Sequence, residues 1–451
     1  MPVSVAIVGS GPAAFYTAAT LVDSDDDILI DIIERLPTPY GLIRDGVAPD
    51  HQTTKGIAKK FEKTAMHEQV RYFGNVEVGR DIQLAELRKI YDAVVLCVGS
   101  PGDRPLDIPG ADKAGVIGAA AFVFWYNGHT DFRDLNPDLN ISAAAVIGVG
   151  NVAMDISRLL SLSAGELAST DLPDYAEQAI RQSPLSDVHM FGRRGPTDAK
   201  FTNVELRELG VMDECVPQVR SKQLPDGVEG DYADRDRRLR ERNLKTLHGY
   251  SERSAEEKPK RIHFEFFANP AEILGEDRVE GIRMERTRVL NGRAVGTGDF
   301  FDISCGLVIS AIGYRGAPIA GAPFDDKRAI IPNEDGRVEA GLYAAGWIKR
   351  GPSGVISSNR PDGVAVAGYI HDDFGNGTKQ SKPGREALRA ILRDRNIRSV
   401  SFEDWKKIDA AEIANAQEGR PRRKFVSVET MLDVLDHSRS GPCNEFRSPN
   451  P

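Results

Sequence analysis

The stretch VAIVGSGPAAF, residues 5–15, decides the fold. Val3 to Val8 form a short run rich in β-branched residues that stops at Gly9, and an Ala-rich segment runs from Pro12 to about Val22. This is a buried parallel strand, a tight turn and a helix. Gly9-Ser10-Gly11-Pro12-Ala13-Ala14 fits G-x-G-x-x-G/A. In that pattern Gly9 permits the turn, Gly11 lets the backbone approach a pyrophosphate, and Ala14 lets helix and strand pack closely. The helix N-terminus offers free N–H groups and partial positive charge to an anion. The next strand, ILIDIIE at 28–34, ends on Glu34, whose carboxylate can accept from both ribose hydroxyls. Such an acid favours a free 2′-hydroxyl, as in FAD or NAD.

The unit occurs twice. VIGVGNVAMD at 146–155 again runs from strand to glycine to helix, with Gly148, Gly150 and Ala153 at the three small positions and a helix extending to about Ser161. The following strand, DVHMFGRR at 187–194, ends on Arg193 and Arg194 instead of an acid. Glu166 and Asp171 are nearer in sequence but lie in a connecting segment. Paired guanidiniums at a strand end fork onto a 2′-phosphate, so this turn favours NADP; the plainer reading is a surface charge network. One chain holding both kinds of dinucleotide is most simply a flavin enzyme that takes hydride from NADPH.

Composition agrees. The chain has 451 residues, 41% hydrophobic and 28% charged, which suits a globular protein of two or three domains. A net charge of −9 offers no general basic field for nucleic acid. Cys97, Cys215, Cys305 and Cys443 are scattered, without a C-x-x-C pair, so no metal site and no dithiol centre is expected. No apolar run approaches a membrane span, and the start directly on a strand suggests a cytoplasmic protein. YDAVVLCVGS at 91–100 and CGLVISAIGY at 305–314 are further strands meeting glycine, and 336–356 holds a strand, a glycine-rich turn and a helix start. The segment 221–260 is polar, an exposed helix with loops, and the end from Ser438 has loop composition. Strand and helix alternate, so the fold class is α/β, two Rossmann-like dinucleotide-binding units with parallel sheets.

At this point the chain resembles the adrenodoxin reductase family, the glutathione-reductase-like (FprA-like) NADPH–ferredoxin reductases. The motifs span nearly the whole length: GSGPAAF (9–15), PYGLIRDGVAPDH (39–51), FGNVEVGRD (73–81), DIPG (107–110), WYNG (125–128), GVGNVAMD (148–155), FGRRGP (191–196), FTNVELREL (201–209), GYRG (313–316) and GWIKRGPSGVI (346–356). The resemblance implies an FAD-binding domain from residues 1–101 and 312–451, with an NADP-binding domain, 102–311, inserted between. It implies hydride transfer from NADPH to FAD and single electrons passed to a ferredoxin, a small acidic iron–sulfur protein. Carried over by position, FAD would contact Ala13, Glu34, Leu42, Val78, Trp347 and the backbone of Gly354, Val355 and Ile356. NADP would contact Arg104, Asn151, Val152, Ala153, Met154, Arg193, Arg194, Glu205 and Gly354. His51 and Asp155 match a pair that lies near the flavin. SSNRPDG at 357–363 departs from the family pattern around the flavin tail.

The residues carry these roles unevenly. His51, in a loop, either modulates the flavin with Asp155 or is simply structural. Asp155 could equally form a salt bridge early in its helix, and Trp347 could be a core aromatic. Gly354 suits a close backbone approach to both cofactors. DRDRRLRERNLK at 234–245 has six basic residues against three acids, and with Arg207 its Arg238, Arg240 and Arg242 form a candidate docking face for an acidic partner. A solvated helix face is the competing reading. Two other functions stay open: a subunit of a glutamate-synthase-like complex, which normally brings cysteine-ligated clusters, and a non-enzymatic NADP-binding protein.

Overall fold

The computed structural model describes residues 2–24, 27–374 and 382–439; the tail beyond, with Cys443, lies outside the described residues, as do two acids of the stretch that closes the first helix. Two six-stranded sheets organise the chain. In the first, Val3–Val8 lies between Ala93–Leu96 and Ile28–Ile33, with Val70–Phe73 outside the latter. Leu342–Ala344 continues the sheet beyond Ala93–Leu96 and pairs antiparallel with Arg337–Glu339 at the edge. The second sheet is wholly parallel, with Ala143–Ile147 between Leu307–Ser310 and Asp187–Gly192, and Lys260–Phe266, Cys215–Val219 and Val116–Gly118 outside them. In both sheets the strand order reverses at the strand that feeds a glycine turn. That reversal opens a crevice at the carboxyl end of the sheet.

Period-two alternation assigns the faces. In the first sheet Val5 and Ile7 pack on one side with Phe15, Ala18 and Leu21 of the helix Pro12–Val22, while Ala6 and Val8 pack on the other with Leu84, Leu87, Leu388 and Leu392. Burying each such Leu or Ile contributes about 1.5–3 kcal/mol. Helix Pro12–Val22 also crosses helix Arg360–Phe374 closely: a Cβ on Gly363 would stand 2.7 Å from the Thr17 nitrogen.

In the second sheet Ala144 and Val146 face the helices, whereas Ala145 and Ile147 face a three-stranded antiparallel sheet through Ile273, Ile282 and Met284. This sheet (Ala268–Leu274, Gly281–Leu290, Arg293–Ser304) adds an antiparallel layer to the α/β units with parallel sheets expected from the sequence. Its hairpin turns on Asn291 and Gly292, with φ of 50° and 73°, the pair of left-handed residues a tight hairpin requires.

The chain passes from the first sheet to the second after Leu96 and back after Ser310. The two passages pair with each other, Gly102–Asp103 against Tyr314–Arg315. Asp103 then accepts from the Ala120 and Ala121 nitrogens at 2.7 and 3.1 Å, anchoring the start of helix Ala119–Asn127.

Candidate active site

The two glycine turns are superimposable in their chemistry. The Gly9 nitrogen donates to Ile33 O at 2.8 Å, and the Gly148 nitrogen donates to Phe191 O at 2.9 Å. Gly9 has φ +97° and a Cβ there would sit 2.6 Å from Cys97 O; Gly148 has φ +142° and its Cβ would sit 2.5 Å from Ala311 O. These first glycines are required by the fold. The second glycines are different: a Cβ on Gly11 or Gly150 would meet nothing within 4 Å. Each is the N-cap of a helix that no side chain caps, which leaves backbone donors facing open space. The site therefore fits a pyrophosphate at each turn. Met154, expected among the NADP contacts, is buried, and its nitrogen donates to Gly150 O at 3.0 Å, so its polar backbone is committed to the helix.

At the first turn Glu34 receives the Ser10 nitrogen at 3.0 Å and the Ser10 hydroxyl at 2.7 Å on one oxygen, and the Leu36 nitrogen at 3.2 Å on the other. It holds the turn and keeps lone pairs spare. In the second unit the equivalent step is Gly192, so the acid is missing and Arg193 and Arg194 follow immediately. Arg193 is exposed and its guanidinium has no partner among the described residues; Arg194 lies 3.4 Å from Asp198. Asp171 and Glu166 are occupied elsewhere, the first by Lys55 at 2.7 Å and the second in a capping box with Ser163.

Further segments converge on the first turn. The Tyr40 nitrogen donates to Ser10 O at 3.1 Å, and a Cβ on Gly41 would stand 3.2 Å from the Gly11 Cα. This brings Leu42 beside the turn, and Leu42 packs, with Trp347, against the core of the second sheet. Val78 is half-buried on a loop tied to Glu34 O by the Val76 nitrogen at 2.9 Å. Trp347 stacks obliquely on Tyr314, ring centres 5.7 Å apart, and donates from Nε1 to Ser353 O at 3.1 Å. After it, Gly354 takes φ +85° and Val355 is 57% exposed, with Ile356 half-buried. Arg104 is exposed just beyond the ribbon of Gly102–Asp103 and Tyr314–Arg315, its nitrogen donating to Gly313 O at 3.1 Å. The Asn151 Oδ1 accepts from the Thr202 nitrogen at 2.9 Å, joining the second turn to helix Asn203–Leu209.

Between the sheets lies an ionic cluster. His51 Nε2 is 3.0 Å from Glu208 and 3.7 Å from Glu205, and Nδ1 is 3.9 Å from Asp155. Arg158, which the sequence reading missed, reaches Asp50, Asp155 and Glu205 at 2.7, 2.8 and 3.2 Å. Asp155 thus takes both roles considered for it, a salt bridge within its helix and a neighbour of His51. Burial raises its carboxyl despite Arg158. Burial, with Asp155 nearby, pushes Glu205 up to about 7. For His51, burial lowers the imidazole, but the hydrogen bond to Glu208 together with the charges of Asp155 and Asp50 outweighs it, leaving the ring easier to protonate than usual. Burial likewise opposes the ionised forms of Asp50 and Glu208, yet their bonds to Arg158 and His51 hold both below the ordinary range. Ligand atoms of His51, Glu205 and Glu208 lie within 4.8 Å of one another, the kind of group that holds a metal, but Arg158 already contacts both carboxylates at 3.2 and 3.5 Å.

Helix Asp234–Ser251 packs against Asn203–Leu209, with Tyr250 Oη on Leu206 O at 2.5 Å. Arg207, Arg238 and Arg242 are exposed, and their guanidiniums have no partner among the described residues. Arg240 departs from the expectation of a free docking residue: it is half-buried, donates to Thr197 O and lies 4.1 Å over the Tyr232 ring.

Residues 3–172 match the pyridine nucleotide-disulphide oxidoreductase family. Over 96% of its length the chain is 41% identical to the mitochondrial NADPH:adrenodoxin oxidoreductase of Arabidopsis thaliana, covering 95% of that protein. It is equally similar, at 41% over 96% of this chain and 99% of the relative, to the NADPH-ferredoxin reductase FprA of Mycobacterium tuberculosis. The solved structure of that FprA in complex with NADPH superimposes with a TM-score of 0.92 at 40% identity, covering 96% of this chain and 99% of the other. With two matched nucleotide turns, an acid at one, arginines at the other and likeness along its whole length, the chain belongs to the adrenodoxin reductase family.

Proposed function

We infer that this protein is an NADPH–ferredoxin reductase, an FAD-containing oxidoreductase that takes hydride from NADPH and delivers single electrons to a ferredoxin. The carrying observation is the difference between the two otherwise equivalent turns, Glu34 at one and Gly192 with Arg193 and Arg194 at the other. The first turn then binds FAD and the second NADP(H). Bound FAD supplies the conversion between a two-electron donor and a one-electron acceptor.

The chain's own residues bind, orient and shield. In this reading residues 1–101 and 312–451 form the FAD-binding domain and 102–311 the NADP-binding domain. Gly9, Gly11, Ala13, Ala14 and Glu34 hold the adenosine and pyrophosphate of FAD, with Leu42, Val78, Trp347 and Gly354 to Ile356 lining the rest. Gly148, Gly150 and Asn151 to Ala153 hold the NADP pyrophosphate, Arg193 and Arg194 its 2′-phosphate, and Arg104, Glu205 and Gly354 complete that site. Leu42 and Trp347, which already pack across the seam, exclude water from the place where the two reactive rings meet. His51 and Asp155 modulate the charge there.

Arg207, on the helix that carries Glu208, with Arg238 and Arg242, on the helix packed against it, form the face for the acidic ferredoxin. A cytoplasmic location belongs to this reading; among the described residues no helix is long and apolar enough to cross a membrane. Reduction of cytochrome c that depends on both NADPH and added ferredoxin tests the assignment. Equal rates without ferredoxin would contradict it.

A further inference from the structure

Arg158 has none of the roles assigned above, yet it is the most connected side chain at the seam. It sits in helix Asn151–Ser161 and is only 3% exposed. Its Nε and one terminal nitrogen fork onto Asp50 at 2.7 and 3.0 Å. That terminal nitrogen also reaches Asp155 at 2.8 Å, and the other reaches Glu205 at 3.2 Å, with Glu208 3.5 Å away. Asp50 immediately precedes His51, on a loop that leaves the first sheet's unit, whereas Asp155, Glu205 and Glu208 belong to helices of the second. One planar guanidinium therefore joins the His51 corner to both helices opposite it. The charged groups around it are four carboxylates and the His51 imidazole, with the partnerless hydroxyl of Tyr126 buried nearby.

We propose that Arg158 is a positioning residue for hydride transfer, which fixes the Asp50–His51 corner against helices Asn151–Ser161 and Asn203–Leu209 and so sets the seam between the two dinucleotides. This rests on the function proposed above. The requirement is for the fork, not only for charge. A lysine carries the charge on one atom and cannot bind both oxygens of Asp50 while reaching Asp155 and Glu205.

The test uses flavin-loaded protein with Asp50→Asn, Arg158→Gln, Arg158→Lys and the Asp50→Asn/Arg158→Gln double variant. Stopped-flow bleaching of the flavin at saturating NADPH is read beside NADP⁺ affinity and amide exchange of the segment around Asp50. Each single variant is expected to slow bleaching about 10–100-fold, as a small misplacement of reacting groups does. NADP⁺ affinity should change little in the charge-conserving Arg158→Lys, fall somewhat in Arg158→Gln and rise somewhat in Asp50→Asn with the charge of the cluster. Exchange around Asp50 should quicken, Lys should fail to rescue the bleaching rate, and the double variant should be no slower than the slower single one. A wild-type rate in Asp50→Asn or Arg158→Lys, unchanged exchange, or multiplicative losses in the double variant would overturn the proposal alone. Should Arg158→Gln not fold, Asp50→Asn and Arg158→Lys decide it. Wild-type protein that NADPH does not bleach would overturn the functional reading and the proposal together.

Discussion

Glu34 and Gly192 stand at the same step of two equivalent strands. Each follows the residue whose carbonyl accepts from the first glycine of its turn, Ile33 for Gly9 and Phe191 for Gly148. At one step a carboxylate is fixed by Ser10 and Leu36; at the other a bare backbone is followed by two arginines. The same scaffold is thereby tuned for a free ribose and for a phosphorylated one.

Coenzyme choice should follow from that difference. Replacing Arg193 and Arg194 with Ala removes charge-assisted bonds worth about 1.5–3 kcal/mol each. The KM for NADPH is expected to rise at least about tenfold, while that for NADH stays near its starting value. Steady-state kinetics with both coenzymes reads the ratio, and a parallel loss for both would point away from 2′-phosphate recognition.

The paired glycines of each turn should fail in different ways. Gly148→Ala forces a Cβ to 2.5 Å from Ala311 O at φ +142°, so it should destabilise the fold and lower the melting temperature. Gly150→Val places its Cβ in open space, and its stability cost should stay within about 1 kcal/mol. Nonetheless Gly150→Val should lose NADP⁺ binding, measured by calorimetry, because its side chain occupies the approach to the helix N-terminus.

The ionic cluster gives a pH dependence with a definite sign. Glu205 is protonated below about 7 and ionised above it, and His51, held above the usual imidazole value by Glu208, Asp155 and Asp50, also loses its positive charge as pH rises. Both changes make the cluster more negative as pH rises, so anionic NADPH should bind more weakly. The KM for NADPH is expected to increase across neutral pH in the wild type, less in Glu205→Gln, and least in His51→Gln/Glu205→Gln.

Stability in acid should depend on a buried pair that ties the turn of Leu42 to a helix distant in sequence. Arg44, in the turn that carries Leu42, donates from both terminal nitrogens to the two oxygens of Glu412 at 2.9 and 2.5 Å, and Glu412 also accepts from the Phe425 nitrogen at 2.9 Å. Burial opposes the Glu412 carboxylate, but Arg44 outweighs it and holds the carboxyl below the usual range. Its contribution is complete above the unfolded-state value and is lost as pH falls through the folded one. Glu412→Gln strands the guanidinium and should cost about 3–5 kcal/mol at neutral pH, with a shallower acid dependence by thermal melting.

Docking separates one arginine from three. Arg207→Gln/Arg238→Gln/Arg242→Gln should raise the apparent KM for ferredoxin about tenfold at low salt and flatten its salt dependence. Small-molecule acceptors such as ferricyanide should be reduced as before. Arg240→Gln should instead lower stability, since its guanidinium is committed to Thr197 and Tyr232.

Much of this was legible because short-range rules carry it. Strand, glycine and helix occur in order at 5–22 and 143–161, and the faces of Val5 to Val8 follow simple alternation. The antiparallel sheet was partly legible too, though it went unread: Ile282-Arg283-Met284-Glu285 alternates apolar and charged residues before the register slips between Glu285 and Thr287, and the strand ends at Asn291-Gly292. Arg158 had no local signal. Its partners come from residues 50, 155, 205 and 208, brought together only by the packing of separate elements, and an arginine inside a helix otherwise resembles a solvated one. Arg240 erred in the opposite direction, since nothing in a basic run shows which guanidinium folds back onto Tyr232.

The central claim is that two dinucleotides meet across the seam, and an anaerobic titration of the purified protein with NADPH, followed through flavin absorbance, tests it most directly. The protein should emerge yellow, release FAD on denaturation, and bleach stoichiometrically with NADPH. A protein that retains no flavin, or one whose flavin stays oxidised in excess NADPH, would contradict the account.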